Sequence, residues 1–291
     1  MNPVYKSERH AQAVRAAYDA ALAHWPQGWG RQTVSTPVGN THVLVCGCED
    51  APPLVLLHGA QSTAASWQRQ AEAWAPHFRL YAIDLIGEAG LSAPARLPLD
   101  GDAHAAWLDA VLDGLGIARA AFCGISLGAW MALDFAVRRP ARVERLALLC
   151  PSGIGRQKNI LPWVLPLLLL GPAGRALIRR RIIGVLPADP APADRAQFDL
   201  MRAIDQGFRS RFGKIPVFSD EALRQLAPPL LVVVGGRDVM LDSQGTRDRL
   251  QRLMPQANVT LLPQERHFVR GQNERVLAFL RDTSTDTAAA A

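Results

Sequence analysis

Short apolar runs alternate with helix-length segments along most of this sequence. The chain begins with an amphipathic helix and a pair of strands within 33–48, which we expect to turn at Gly39-Asn40. Six runs of the length of buried strands follow, at 54–57, 79–84, 120–125, 143–150, 230–236 and 258–263. Parallel strands are joined by crossovers, usually helices, and these crossovers are right-handed. The pattern therefore predicts an α/β fold: a mostly parallel eight-stranded sheet with helices on both faces.

One long interval interrupts this alternation. Across 151–219 the strand pattern disappears, and helix-like pieces broken by proline and glycine replace it. We therefore predict a core domain formed by 1–150 and 220–291, with a helical cap inserted at 151–219. The most apolar stretch, 160–172, is shorter than the roughly 20 residues that a membrane-spanning helix needs. We expect it to be a core or pocket-lining helix rather than a membrane anchor.

The charge balance is basic, with a formal net charge of +6 at pH 7. A basic balance alone predicts attraction to anions and does not indicate a function. The cluster Arg179–Arg181 is open to two interpretations, a patch for nucleic acid or acidic lipid, or a solvated helix face, which such clusters more often form. No nucleic-acid motif or interleaved aromatic residue accompanies it. We therefore expect no nucleic-acid partner.

The cysteines and the first residues of the chain bear on location. Four cysteines lie in or beside apolar runs, without the C-x-x-C spacing of a zinc or redox site, at Cys46, Cys48, Cys123 and Cys150. We interpret them as buried free thiols, which suit a reducing compartment. Charges are spread through the first 25 residues, which lack the apolar core of a secretory signal. The expected location is the cytoplasm.

The pentapeptide Gly124-Ile125-Ser126-Leu127-Gly128 lies between a strand-like run and a helix-like one. A G-x-S-x-G pattern in this setting is typical of a nucleophile elbow, a tight turn that projects the serine hydroxyl from the sheet. A β-carbon at either glycine would crowd the neighbouring strand and helix. The N–H of Leu127 would face the space above Ser126, where negative charge could be held. The alternative is a tight turn whose serine only caps the helix.

A serine nucleophile needs a base to accept its proton and a carboxylate to orient that base. Two later residues fit, because Asp238 follows the run 230–236 and His267 follows the run 258–263. Both would lie at the carboxyl ends of parallel strands, on the same sheet edge as Ser126. Asp242 is an alternative acid.

A fourth loop follows the first of the parallel strands. The N–H of Ala60, after His58-Gly59, is well placed to be a second donor to an oxyanion, together with that of Leu127. Gln61 could add a side-chain donor. We interpret His58 as a structural loop histidine rather than a base.

Taken together, these motifs resemble the α/β-hydrolase superfamily, and within it single-domain esterases with a helical cap. The resemblance covers nearly the whole chain, and the motifs occur in family order as His58-Gly59, Asp84 with Gly87, the elbow, Asp238 and His267. The stretches 81–90, 124–152 and 217–240 are similar to bacterial carboxylesterase-like hydrolases. The chain departs from the family at Arg266, where a glycine usually precedes the histidine, and after His58-Gly59, where a second glycine is missing.

The resemblance implies a role for each matching residue. Ser126 would be the nucleophile, His267 the general base and acid, and Asp238 the orienting carboxylate. The amides of Ala60 and Leu127 would form the oxyanion hole. Asp84 and Gly87 would be structural.

We expect a serine hydrolase that cleaves small to medium hydrophobic carboxylic esters through an acyl-enzyme. Trp163, Leu167 and Gln61 are the candidate substrate-binding residues, although packing alone explains the cap leucines equally well. The same triad could serve acyltransfer, thioester or carbon–carbon bond hydrolysis, or perhydrolysis, and a non-catalytic ligand-binding protein is a further alternative. No cofactor or metal is implied. The expected assembly is a monomer or homodimer.

Overall fold

A single eight-stranded sheet organises the computed structural model, which describes residues 4–185, 187–211 and 213–282. The strands are β1 (Gly30–Thr36), β2 (Gly39–Cys46), β3 (Pro53–Leu57), β4 (Arg79–Ile83), β5 (Ala120–Ile125), β6 (Val143–Leu149), β7 (Leu230–Gly235) and β8 (Asn258–Leu262). Their spatial order is β1-β2-β4-β3-β5-β6-β7-β8. The pairs that involve β2 are antiparallel and the other pairs are parallel, which confirms the predicted α/β class.

Helices cover both faces of this sheet. They are α1 (Glu8–Leu22), α2 (Gln68–Trp74), α3 (Ala103–Gly114), α4 (Leu127–Arg138), α5 (Leu161–Leu168), α6 (Gly171–Ile183), α7 (Pro192–Gly207), α8 (Asp220–Arg224), α9 (Ser243–Leu253) and α10 (Asn273–Arg281). Successive side chains of a strand point to opposite faces. In β3, Val55 and Leu57 pack with α3, α4 and α9, whereas Leu54 and Leu56 pack with α1, α2, α7 and α10. Burial on both faces explains why the central strands are continuously apolar.

The first hairpin differs slightly from the prediction. The sequence indicated a turn at Gly39-Asn40, but Thr36 pairs with Gly39, so the turn is formed by Pro37 and Val38 and β2 begins at Gly39. Gly39 has φ of +117°, a conformation that glycine adopts without steric cost. The glycine is therefore needed where the chain leaves the turn rather than within it.

The cysteines largely follow the sequence interpretation. Cys46, Cys123 and Cys150 are buried free thiols, but Cys48 is exposed, because β2 ends at Cys46 and Cys48 belongs to the following loop. The expectation that all four are buried is therefore wrong at Cys48.

Of the described helices between β6 and β7, α8 is the last, and α5, α6 and α7 lie in the interval where the sequence lost its strand pattern. They are not equally packed. Leu200 and Ile204 of α7 are buried in the core shared with α1, whereas α5 has no buried residue. For 160–172 the core alternative is therefore wrong, since Leu165 and Leu169 are 56% and 88% exposed, whereas the pocket-lining alternative stays a prediction. No helix within the described ranges is long and apolar enough to cross a membrane.

Candidate active site

Ser126 occupies the sharp turn between β5 and α4. Its backbone has φ of 53° and ψ of −107°, a strained conformation for a residue with a side chain. Both flanking glycines are required by close contacts: a β-carbon at Gly124 would lie 2.6 Å from the Cα of Ala129, and one at Gly128 would overlap the carbonyl of Leu57. The turn can therefore bring α4 onto the sheet and leave the serine hydroxyl at its edge.

The imidazole of His267 lies between the hydroxyl of Ser126 and the carboxylate of Asp238. Its Nε2 is 2.9 Å from the Oγ of Ser126, and its Nδ1 is 2.7 Å from the Oδ2 of Asp238. A carboxylate can only accept, so Nδ1 donates to Asp238, which leaves Nε2 as the nitrogen that faces the hydroxyl of Ser126. Three residues distant in sequence thus form one continuous hydrogen-bond chain.

The carboxylate of Asp238 is fixed from its other side. Its Oδ1 accepts the N–H groups of Met240, at 2.7 Å, and Leu241, at 3.0 Å, and the residue is almost completely buried. Asp242, the alternative acid, accepts the N–H of Gly245 at 2.9 Å and caps the N-terminus of α9. The hydrogen bonds therefore distinguish the two acids, because only Asp238 is bonded to the imidazole.

The loop after β3 approaches the elbow closely. A β-carbon at Gly59 would lie 3.6 Å from the Cβ of Ser126, so the next residue, Ala60, follows directly beside the serine. Within the described residues, the N–H groups of Ala60 and Leu127 donate to no protein acceptor. An unpaired N–H at the start of a helix is a ready donor to an anion. These two amides are thus available to a negatively charged oxygen next to Ser126.

A buried acid that sequence analysis missed supports this loop. The N–H of Gln61 donates to the Oε2 of Glu88 at 2.8 Å, and Gln61 itself has a positive φ of 57°. Burial raises the pKa of the Glu88 carboxyl. Because Glu88 holds the peptide that follows Ala60, it fixes the direction of the loop. The Gln61 residue is exposed, and its side chain forms no hydrogen bond within the described ranges.

Both ring nitrogens of His58 form hydrogen bonds with backbone groups. Its Nδ1 donates to the carbonyl of Gly59 at 2.8 Å, and its Nε2 accepts the N–H of Leu85 at 3.0 Å. Burial lowers the pKa of this imidazole. The carboxylate of Asp84 likewise accepts the N–H groups of Ala64 and Leu91, so both motif residues tie loops together at this edge.

Comparison with known proteins identifies the family of the chain. The model of the alpha/beta hydrolase family matches residues 54–279, which include all three members of the hydrogen-bond chain. The chain belongs to this family.

Two bacterial esterases are similar over almost the whole hydrolase. The carboxylesterase YbfK of Bacillus subtilis is 29% identical over 290 residues, covering 91% of this chain and 92% of its own. The crystal structure of that organism's carboxylesterase CesB (YbfK) superposes with a TM-score of 0.80 at 28% identity, covering 94% of this chain and 99% of the other. The naproxen esterase of the same species superposes with a TM-score of 0.77 at 27% identity, covering 98% of both chains.

The unusual Arg266 of this hydrolase joins the histidine loop to α6. Three successive carbonyl groups at the C-terminal end of α6 accept hydrogen bonds from this loop. The pairs are Arg181 with the guanidinium of Arg266 at 2.8 Å, Ile182 with the N–H of His267 at 3.2 Å, and Ile183 with the guanidinium of Arg270 at 3.1 Å. Cations at a helix C-terminus also complement its dipole. Arg266, at the position where the resemblance implies glycine, thus adds a hydrogen bond to the end of α6.

The two apolar residues predicted to bind substrate, Trp163 and Leu167, both lie on α5. The guanidinium of Arg181 lies 4.9 Å from the centre of the Trp163 ring. A β-carbon at Gly174 of α6 would overlap the carbonyl of Leu167, so the glycine permits close packing of the two helices. Trp163 and Leu167 are partly exposed and belong to a helix pair that is fixed beside His267.

The thiol of Cys150 lies next to the imidazole and the carboxylate. Its Sγ and the ligand atoms of Asp238 and His267 all lie within 4.8 Å of one another. This set does not fit a resident metal ion, because the imidazole and the carboxylate are bonded to each other and a thiolate is needed as ligand. Burial, with a contribution from Asp238, raises the pKa of the Cys150 thiol to about 12, so the thiol is neutral.

Proposed function

We propose that this protein is a serine hydrolase of carboxylic esters, with Ser126 as nucleophile, His267 as general base and acid, and Asp238 as the orienting carboxylate. The observation that carries the proposal is the chain of hydrogen bonds from hydroxyl to imidazole to carboxylate, at 2.9 and 2.7 Å. The names of the two Bacillus subtilis relatives, a carboxylesterase and a naproxen esterase, support an ester as substrate.

The geometry leads to a two-step reaction. His267 accepts the hydroxyl proton as Ser126 attacks the ester carbonyl, and the amides of Ala60 and Leu127 donate to the tetrahedral oxyanion. The protonated imidazole then gives its proton to the departing alcohol, which leaves an acyl-enzyme. Water attacks this intermediate with His267 again as base, and the carboxylic acid is released.

The substrate side of the proposal rests on the helices beside the histidine loop. Segment 151–219 serves as a cap over the site, and Trp163, Leu167 and Gln61 line the path of a small to medium hydrophobic ester. The mixture of apolar and aromatic side chains near a few fixed donors is the usual composition of a small-molecule site. We further propose a cytoplasmic monomer or homodimer.

Hydrolysis of p-nitrophenyl acetate, butyrate and octanoate tests the proposal. We expect measurable turnover by the wild type and a loss of at least about 10⁴-fold in kcat for Ser126→Ala, whose thermal midpoint should stay close to that of the wild type. A folded Ser126→Ala variant that retained turnover would exclude Ser126 as the nucleophile. A folded wild type without turnover on any ester would favour a ligand-binding protein. Product analysis with competing alcohols separates hydrolysis from acyl transfer.

A further inference from the structure

The helix pair α5–α6 exposes an unusual amount of apolar surface. We call residues 161–183 the cap hairpin. Six of its leucines are between 45% and 88% exposed: Leu161, Leu165, Leu168, Leu169, Leu170 and Leu177. Isolated exposed leucines are common, but a contiguous apolar patch on one element of a water-soluble fold indicates an interaction site.

The charge of the cap hairpin has one sign. The sequence from 157 to 188 contains no aspartate or glutamate, whereas the hairpin carries four arginines. Arg179 pairs with Asp205 of α7, and Arg181 lies over Trp163. Arg175 and Arg180 are exposed. The spacing from Leu177 to Arg180 and Arg181 places cationic and apolar side chains on one exposed helix face.

These observations favour one kind of partner. A second copy of the same face would bring like charges together, which is unfavourable for a self-complementary interface. An anionic lipid surface satisfies both features, because leucines enter the boundary of the acyl chains while arginines contact the headgroups. We infer that the cap hairpin docks the protein reversibly on anionic lipid bilayers. The alternative of an acidic lipid patch, which the sequence left open at Arg179–Arg181, is thereby extended to the whole hairpin.

The placement of the cap hairpin gives this docking a consequence. The end of α6 is hydrogen-bonded to the loop of His267, and Phe268 in that loop is 45% exposed. An exposed apolar side chain is therefore present next to His267, in the loop that is bonded to the hairpin. A hydrophobic molecule dissolved in the bilayer would meet the site at the docked face. The docking itself does not depend on the proposed ester hydrolysis.

Cosedimentation of the full-length protein with vesicles tests the inference. Vesicles of phosphatidylcholine alone are compared with equimolar phosphatidylglycerol and phosphatidylcholine, at low and high salt. We expect binding to the anionic vesicles only, with release at high salt. Leu165→Gln with Leu169→Gln, and separately Arg175→Gln with Arg180→Gln, should each weaken the binding roughly tenfold. Circular dichroism and the thermal midpoint show that each variant is folded.

A matched control changes the same charge elsewhere. Arg9 and Arg224 are exposed arginines outside the hairpin, and Arg9→Gln with Arg224→Gln should bind the anionic vesicles like the wild type. Absence of binding, equal binding to both vesicles, or an equal loss in the control variant would overturn the inference. Light scattering that shows a dimer dissociated by the leucine changes would instead assign the face to a second copy, and would also overturn it.

Discussion

The sheet edge and the cap hairpin differ in how their side chains are held: those at the edge are hydrogen-bonded, whereas most leucines of the hairpin are exposed. At the edge, each candidate catalytic side chain follows a strand of the sheet, and backbone hydrogen bonds fix the carboxylate of Asp238. In the cap hairpin the leucines face outward, and three hydrogen bonds at the end of α6 join the hairpin to the histidine loop. From this difference we expect the two regions to have different functions. Changes at the edge should lower kcat, whereas changes at the hairpin should alter access to the site and therefore KM.

The largest effect within this comparison concerns the two acids near β7. Asp238→Ala should lower kcat about 10³-fold, because the imidazole loses the group that sets its tautomer and orientation. Asp242→Ala removes only a helix cap, so it should leave kcat nearly unchanged and lower the free energy of unfolding by about 1 kcal/mol. Esterase assays and urea denaturation of both variants provide the measurement. Equal losses of kcat would show that the two acids are not functionally distinct.

A smaller effect is expected at Glu88. Glu88→Ala removes the acceptor of the Gln61 N–H and should lower kcat about tenfold to a hundredfold with little change in KM, since a donor to the oxyanion shifts. Glu88→Gln keeps a carbonyl acceptor at this position and should recover most of the rate. A glutamine variant as impaired as the alanine variant would indicate that Glu88 acts in another way.

At the junction of the two regions, Arg266 tests the coupling. Arg266→Ala should raise KM about threefold to tenfold and change kcat less than twofold, because one of the three bonds to the end of α6 is lost. Arg275→Ala on α10 removes an exposed arginine with comparable hydrogen bonds to Gln272 and Thr260, and should change neither constant. A large fall in kcat for Arg266→Ala would mean that the junction also positions the imidazole.

Some residues of the candidate site can be predicted from the sequence and others cannot, for physical reasons. Ser126, Asp238 and His267 could be predicted because each follows an apolar strand at one sheet edge, a placement that topology enforces. The role of Glu88 could not be predicted, since its hydrogen-bond partner Gln61 lies 27 positions away in the sequence. No sequence pattern links a buried acid to a distant backbone N–H. An acid directly after Gly87 of the D-x-x-G motif was the available signal.

The exposure of the cap hairpin could not be predicted from the sequence. A leucine-rich stretch normally indicates a core helix. The sequence alone does not show which other element packs on that helix. Leu165 and Leu169 are exposed although α5 packs against α6, through the partly exposed Trp163 and the close contact at Gly174. The hydrogen bonds between α6 and the histidine loop depend on how distant segments pack together, so the sequence pattern does not predict them either.

The last expected effect is a pH dependence of stability, which originates at His104 on α3. Burial lowers the pKa of His104 to about 4 from an ordinary value of 6.5. Below pH 6.5 the unfolded histidine takes up a proton while the folded one stays neutral, so the free energy of unfolding falls as the pH drops toward 4, by up to about 1.4 kcal/mol per pH unit.

Urea denaturation across this range tests the assignment. His104→Asn should reduce the slope of unfolding free energy against pH, whereas His24→Asn, at an exposed position, should leave the slope of the wild type. An unchanged slope in His104→Asn would contradict the assignment of this dependence to His104.

The central claim, that Ser126 is activated by His267, is tested most directly by covalent trapping. The folded protein is incubated with a fluorophosphonate, and the adduct is counted by intact mass and located by peptide mapping. We predict one adduct per chain, on Ser126, which forms rapidly in the wild type, at least a hundredfold more slowly in His267→Asn, and not at all in Ser126→Ala. An adduct on another residue, or equal rates of labelling with and without His267, would contradict the account.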